Sequence, residues 1–148
     1  MDSKSAFSSA FSSDNTPTSS AVAVLIITPQ GIPLIRDPKK PAPVFWKAPG
    51  GRSIGSESPT AAVIRETKEE IGVTLTEKNL TIAYEEDRGS HMLVLFTAKL
   101  KSLPDMKTKG DEGEEIRLFS PKEMLTMPDL FPNHRKAFAE TLATLIKI

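Results

Sequence analysis

The sequence predicts a single α/β domain, and three observations carry that prediction. Residues 21–27 (AVAVLII) form a continuous apolar run, residues 58–72 carry both end signals of a helix, and residues 138–146 repeat apolar side chains at helical spacing. A chain of 148 residues suits one domain, and 39% hydrophobic with 26% charged content is enough to bury a sizeable core.

The first 20 residues contain eight serines and no continuous apolar stretch of the kind a signal peptide or a membrane span needs. They are expected to be a disordered tail, with the domain covering residues 21–148. The run at 21–27 suits a strand buried on both faces. Gly31 and Pro33 mark a turn before Leu34, Ile35 and Arg36, and Pro38, Pro41 and Pro43 make a stiff loop leading to Val44, Phe45 and Trp46.

Ser58 followed by Pro59 is an N-cap with proline at the first helical position, and Gly72 is the glycine expected just past a helix C-terminus. Within that helix Thr60, Val63, Ile64, Thr67 and Ile71 share one mostly apolar face, which packs on a core. Residues 80–86 and 92–100 read as strands joined around Gly89 and Ser90, most simply as an antiparallel hairpin. Residues 103–113 read as a mobile loop, after which residues 116–119 return to the sheet. Residues 121–126 suit a short helix, and Asn133 can cap the last one, whose Phe138, Leu142, Leu145 and Ile146 face the core.

The chemistry concentrates in residues 51–73. There Gly51, Glu57, Arg65, Glu66, Glu69, Glu70 and Gly72 stand at spacings whose joint chance occurrence in a chain of this length is on the order of one in a million. Glu66, Glu69 and Glu70 are related by i, i+3 and i+4, so they cluster on one arc of the helix. Two of them sit in the last turn, at the negative end of the helix dipole. Something cationic must offset them, and all-oxygen donors favour a hard ion, Mg²⁺ or Mn²⁺. Gly50 and Gly51 let backbone approach a metal or a phosphate closely, and Gly51 could also serve a backbone conformation closed to other residues.

Net charge is zero and pI about 6.7, so there is no global basic field. That argues against polymeric nucleic acid and against an anionic membrane surface as partners. The absence of cysteine excludes disulfides, thiolate nucleophiles and cysteine-based zinc sites, and is compatible with a reducing, cytoplasmic setting.

Residues 51–73 resemble the signature box of the Nudix hydrolases, and Trp46-Lys47-Ala48-Pro49-Gly50 resembles the usual approach to it. One position departs: the box normally has an aliphatic residue where this chain has Thr67, which still presents a methyl to the core. The resemblance implies an α/β/α sandwich around a mixed β-sheet and hydrolysis of a small nucleotide-like diphosphate. It implies that Gly51, Glu66, Glu69 and Glu70 bind the divalent metal, and that Arg65 and Glu57 pair to hold loop and helix together. A further carboxylate, serving as metal ligand or general base, is expected from Asp111-Glu112-Gly113-Glu114-Glu115, just before a strand, where spacing favours Glu112 and Glu115. Arg36, Lys47 and Arg52 flank the box and are candidates for substrate phosphates, together with the backbone of Gly50 and Gly51. Trp46, Phe45 or Phe131 is a candidate to stack on a base. His91 and His134 lie outside any metal spacing. A homodimer is compatible with this reading.

Substrate labels within that family rest on residues outside the box. Relatives that cleave ADP-ribose tend to carry a proline about fifteen residues beyond it, where this chain has Arg88. Those that cleave diadenosine polyphosphates tend to carry a tyrosine slightly further on, where this chain has Gly89, Ser90 and His91. Against the enzyme stands a binding or regulatory domain that senses a nucleotide without hydrolysing it, which often loses box carboxylates; this chain keeps all of them. A purely structural or metal-buffering acidic helix is the third reading.

Overall fold

The computed structural model describes residues 19–146, so the expectation of a disordered tail falls outside the described residues apart from Ser19 and Ser20. Ser20 already belongs to the first strand. β1 (Ser20–Ile27), β2 (Ile32–Arg36) and β3 (Gly50–Arg52) precede helix α1 (Pro59–Ile71). β4 (Leu80–Asp87), β5 (Met92–Lys99), β6 (Glu115–Phe119), α2 (Pro121–Thr126) and α3 (Arg135–Ile146) follow.

Four strands form a mixed sheet in the order β3-β1-β5-β4, in which β1 runs parallel to β5 and antiparallel to β3. The apolar run does what its pattern requires of a strand covered on both faces. Val22, Val24 and Ile26 enter one core with Val63, Ile71, Val94 and Phe96, while Ala23 and Leu25 enter the other with Leu93, Leu95, Phe138 and Leu142. α1 thus covers one face and α3 the other, giving the α/β/α layering. β4 and β5 make the expected antiparallel hairpin, with an irregularity between Ile82 and Tyr84.

Two expectations need correction. The strand at 116–119 does not join the main sheet: β6 pairs antiparallel with β2 in a separate two-stranded sheet. Asn133 does not cap the last helix, because a 3₁₀ turn over Pro132–His134 runs directly into α3. Proline can open that turn without a cap, and the Asn133 carbonyl instead accepts from Arg88 Nη2 at 2.7 Å.

The end signals of α1 act as read. The Ser58 hydroxyl accepts from the Ala61 N–H at 3.0 Å, and Gly72 closes the helix at φ 77°, its N–H donating to the Lys68 carbonyl. Thr67 is fully buried, and its hydroxyl is satisfied within the helix by the Val63 carbonyl at 2.6 Å. Among the described residues no helix is long and apolar enough to cross a membrane.

Candidate active site

β3 and α1 build the centre of the site between them. Antiparallel pairing sets Gly51 opposite Val22 and Gly50 opposite Ala23, so the two glycines form an edge of the main sheet directly over α1. The Gly50 N–H donates to Glu70 Oε1 at 2.9 Å. A Cβ on Gly51 would stand 2.3 Å from Glu66 Oε2, so glycine here makes room for a carboxylate. Gly51 has no left-handed φ, which corrects the idea that it serves a special backbone conformation.

Arg65 is the hub of the cluster. Its Nε and Nη2 hold both Glu57 oxygens, at 2.8 and 2.9 Å, in the two-pronged geometry that suits guanidinium to carboxylate. Nη2 also donates to the Arg52 carbonyl at 3.1 Å, and Nη1 lies 3.3 Å from Glu66 Oε2 and 3.2 Å from Glu69 Oε1. Glu57 further accepts from the Ile54 N–H. One side chain therefore ties the loop at Glu57, the strand at Arg52 and the helix at Glu66 and Glu69. The hydrogen bonds from Arg65 and Ile54 hold the Glu57 carboxyl down to about 2.

Glu66 and Glu70 behave in the opposite sense. Burial pushes both carboxyls up, Glu70 to about 7, and only partial relief comes to Glu70 from the Gly50 N–H and nearby Lys47. Glu66 keeps the Arg65 guanidinium as a partner against its burial, whereas Glu70 is the more deeply desolvated of the two.

Two hollows flank this centre. On one side a cleft of about 250 Å³ is lined by Lys47, Gly50, Gly51, Arg52 and residues 21–23, and closed by Arg88, His91, Phe131 and His134. It holds three cationic side chains and no carboxylate. On the other side a hollow of about 240 Å³ is lined by Ile35, Glu69, Glu70, Asp111, Glu112 and Glu114. A larger hollow of about 520 Å³ lies at the far end of α3, among Tyr84, Thr97 and Thr141, and contains none of the box residues. The chemistry therefore points to the two smaller ones.

Not every candidate from the sequence reaches these hollows. Lys47, Gly50, Gly51, Arg52 and Phe131 line the cationic cleft, and Glu112 lines the acidic hollow. Glu115 does not. It opens β6 opposite Arg36, and its carboxylate is taken by the Arg36 guanidinium, with Nε at 2.7 Å. Arg36 is spent on that pair and on Trp46, whose ring it covers at 4.5 Å. Trp46 is 2% exposed and packs against Phe119, so it offers no face to a base. Phe45 sits 6.4 Å from Phe131 as its neighbour.

Within the acidic run the structure brings Glu114 and Asp111 to the hollow beside Glu112 in place of Glu115, and it adds Arg88, His91, Asn133 and His134 at the cleft. Glu114 and Glu115 are adjacent in a strand-entry segment, where a shift of one residue changes which face a side chain takes. Only the pairing of β6 with β2 decides between them. Arg88 and His91 flank the hairpin turn, and Asn133 and His134 belong to the misread cap.

A family model described as the NUDIX domain matches residues 17–141. This chain belongs to the Nudix family. It is a Nudix hydrolase, an enzyme acting on phosphorus-containing anhydrides. Its fold is similar to a solved structure from a study of MutT from Aliivibrio salmonicida and Vibrio cholerae, at 22% identity and TM-score 0.70, covering 85% of this chain and 98% of that one. It is also similar to a MutT protein from Methanosarcina mazei Go1, at 21% identity and TM-score 0.67, covering 91% and 100%. An Ap4A hydrolase from C. elegans matches at 20% identity and TM-score 0.65, covering 86% and 99%. No curated protein matches the chain in sequence. Likeness at these identities speaks for the Nudix fold.

Nudix hydrolases use divalent metal ions, and the donors here fit one. Among the described residues no three histidine, aspartate or glutamate side chains stand in a preformed metal cage. Arg65 engages Glu66 and Glu69, and the Gly50 N–H engages Glu70. The donor set is nevertheless all-oxygen and includes Glu70, a carboxylate whose burial is only partly offset by the Gly50 N–H and Lys47, which is the chemistry a hard dication meets.

Proposed function

We propose that this Nudix hydrolase cleaves the diphosphate linkage of a small nucleotide-like substrate with Mg²⁺ or Mn²⁺. The observation that carries the reading is the position of Glu66 and Glu70. These two desolvated carboxylates lie beneath the glycine edge of β3, between a cation-lined cleft and an acid-lined hollow.

In this reading Glu66, Glu69 and Glu70 hold the ion, and Arg65 with Glu57 keeps helix and loop in register while they do so. A bound dication supplies charge neutralisation on the diphosphate oxygens and a lowered pKa for water. The chain's own groups supply the rest. Lys47 and Arg52 neutralise phosphate oxygens that the ion does not reach, and Arg88 adds a third cation at the cleft. Phe131, half-buried at the cleft wall, offers an aromatic surface to the nucleoside. Glu112 and Glu114, facing Glu70 across the acidic hollow, are the carboxylates available to take up a proton at a side-chain oxygen.

The test is a panel of nucleoside triphosphates, nucleotide sugars, ADP-ribose and dinucleoside polyphosphates, assayed for phosphate release with Mg²⁺ and with Mn²⁺. Substitution Glu70→Gln is expected to lower kcat on the best substrate by roughly 10² to 10³, the scale of losing one transition-state donor, with the melting temperature preserved. Unchanged metal-dependent turnover in that variant overturns the assignment.

A further inference from the structure

Building on that hydrolase reading, we propose that Lys107 is a positioning residue, latching the acidic loop onto the C-terminal end of α1 and thereby setting where Glu112 and Glu114 stand against Glu70. Lys107 lies in the segment between β5 and β6, far from the box in sequence, yet it makes three bonds that converge on this one junction.

A helix leaves its last carbonyls without intrahelical partners, and its C-terminus favours a cation. In α1 that end also carries Glu69 and Glu70, which makes the need greater. Lys68, the basic residue of the last turn, is turned to the Thr74 hydroxyl at 3.0 Å. Lys107 fills the role instead. Its Nζ donates to the Glu69 carbonyl at 2.7 Å, and its backbone N–H donates to the Ile71 carbonyl at 2.9 Å. Its stem crosses Gly72, where a Cβ would stand 3.1 Å from Lys107 Cγ. Nζ also holds Asp111 Oδ1 at 2.9 Å. One ammonium therefore joins the box helix to the first residue of the acidic run.

Beyond Asp111 the loop is closed on itself. The Gly110 N–H donates to the Glu114 carbonyl at 2.9 Å, the Gly113 N–H to the Gly110 carbonyl at 3.0 Å, and the Glu112 N–H to Glu114 Oε1 at 3.1 Å. Gly110 is buried and leaves room for the Glu114 carboxylate, since a Cβ there would lie 2.1 Å from its Oε1. The loop is thus a preformed unit, and among the described residues the hydrogen bonds that tie it to α1 are those of Lys107. Removing the Lys107 ammonium leaves the unit and its backbone bond to Ile71 intact but takes away the side-chain ties to Glu69 and Asp111, which loosens the unit against Glu70. Since side-chain orientation around a metal site sets both affinity and rate, such loosening is felt in the chemistry.

The experiment compares the full chain carrying Lys107→Met, which keeps the stem and removes the charge, with the wild type and with Lys107→Arg. Three readouts are taken: amide hydrogen exchange over residues 108–115 without metal or substrate, Mn²⁺ binding by electron paramagnetic resonance, and kcat and KM on the best panel substrate. In Lys107→Met, loop exchange is expected to accelerate at least tenfold, Mn²⁺ affinity to weaken roughly tenfold, and kcat to fall roughly tenfold with KM little changed. Lys107→Arg should restore most of each. Asp111→Asn, which spares the helix cap, serves where Lys107→Met fails to fold, and should move the same readouts in the same direction. A lower melting temperature with loop exchange, Mn²⁺ affinity and kcat all unchanged makes Lys107 a helix cap only and overturns the proposal. Should the wild type hydrolyse nothing in the panel, it is the functional reading that fails, and loop exchange and Mn²⁺ affinity still decide the latch.

Discussion

His134 sits edge-on to two phenylalanine rings, 4.9 Å from Phe131 and 5.7 Å from Phe138, and its buried Nδ1 has no hydrogen-bond partner among the described residues. Burial, reinforced by Arg88 and Lys47, pushes its imidazole from 6.5 down to about 4. Between those values the unfolded chain binds the proton and the folded chain does not, so stability falls as pH drops from 6.5 through 4. The full shift corresponds to about 3 kcal/mol. Substitution His134→Phe keeps the aromatic cluster and removes the titration. Chemical denaturation across that range is expected to show the wild type losing more stability than the variant, by up to about 3 kcal/mol; equal slopes would sink the assignment. Legibility differs at this scale for physical reasons. Arg65 and Glu57 pair within one segment, so the resemblance of that segment to the Nudix box pointed to them, whereas His134 meets the cleft only through the packing of α3 on the sheet. Trp46 and Arg36 read as surface binders from local sequence, yet β2 pairing with β6 brings Glu115 to Arg36 and buries the indole beneath it.

α1 was readable almost to the residue, because a serine cap, a proline at the first position and a closing glycine are local signals. The β2–β6 pair was not, since its partners lie about eighty residues apart and neither strand carries a mark naming the other. β3 is an intermediate case, with a glycine pair that the sequence flags and a cause that only the pairing explains. A Cβ on Gly50 would stand 2.0 Å from the Val22 carbonyl oxygen and 2.7 Å from the Ala23 Cα, both backbone atoms that cannot turn aside. A Cβ on Gly51 would meet instead the far end of the Glu66 side chain. Gly50→Ala is therefore expected to open the β1–β3 pairing and lower stability by about 3 kcal/mol. Gly51→Ala should leave the melting temperature within a few degrees while displacing Glu66 and lowering kcat on the order of 10²-fold. Thermal melts paired with steady-state kinetics separate the two outcomes. The same loss of stability in both variants would mean that the glycines share one structural role.

Across the whole molecule, charge is sorted around the glycine edge although the chain as a whole is neutral. Lys47, Arg52 and Arg88 line one hollow, and Glu69, Glu70, Asp111, Glu112 and Glu114 line the other. No local stretch of sequence announces this division, since the cationic cleft draws on β1, the approach to β3, the hairpin turn and the entry to α3. Under the proposed function the two sides take separate tasks, the acidic side serving the ion and the reacting phosphorus and the cationic side holding the remaining charge of the substrate. Arg52 tests that separation best, because its backbone carbonyl serves Arg65 while its side chain is exposed at the cleft. Truncation in Arg52→Ala leaves the carbonyl in place and removes the guanidinium. On the best panel substrate KM is expected to rise roughly tenfold with kcat unchanged, equivalent to about 1.4 kcal/mol of binding. Because screening acts strongly beyond roughly 8 Å at physiological ionic strength, the wild-type KM should also climb with added salt, and climb less steeply in the variant. A fall in kcat at constant KM would place Arg52 in the chemical step and dissolve the division of labour between the two hollows.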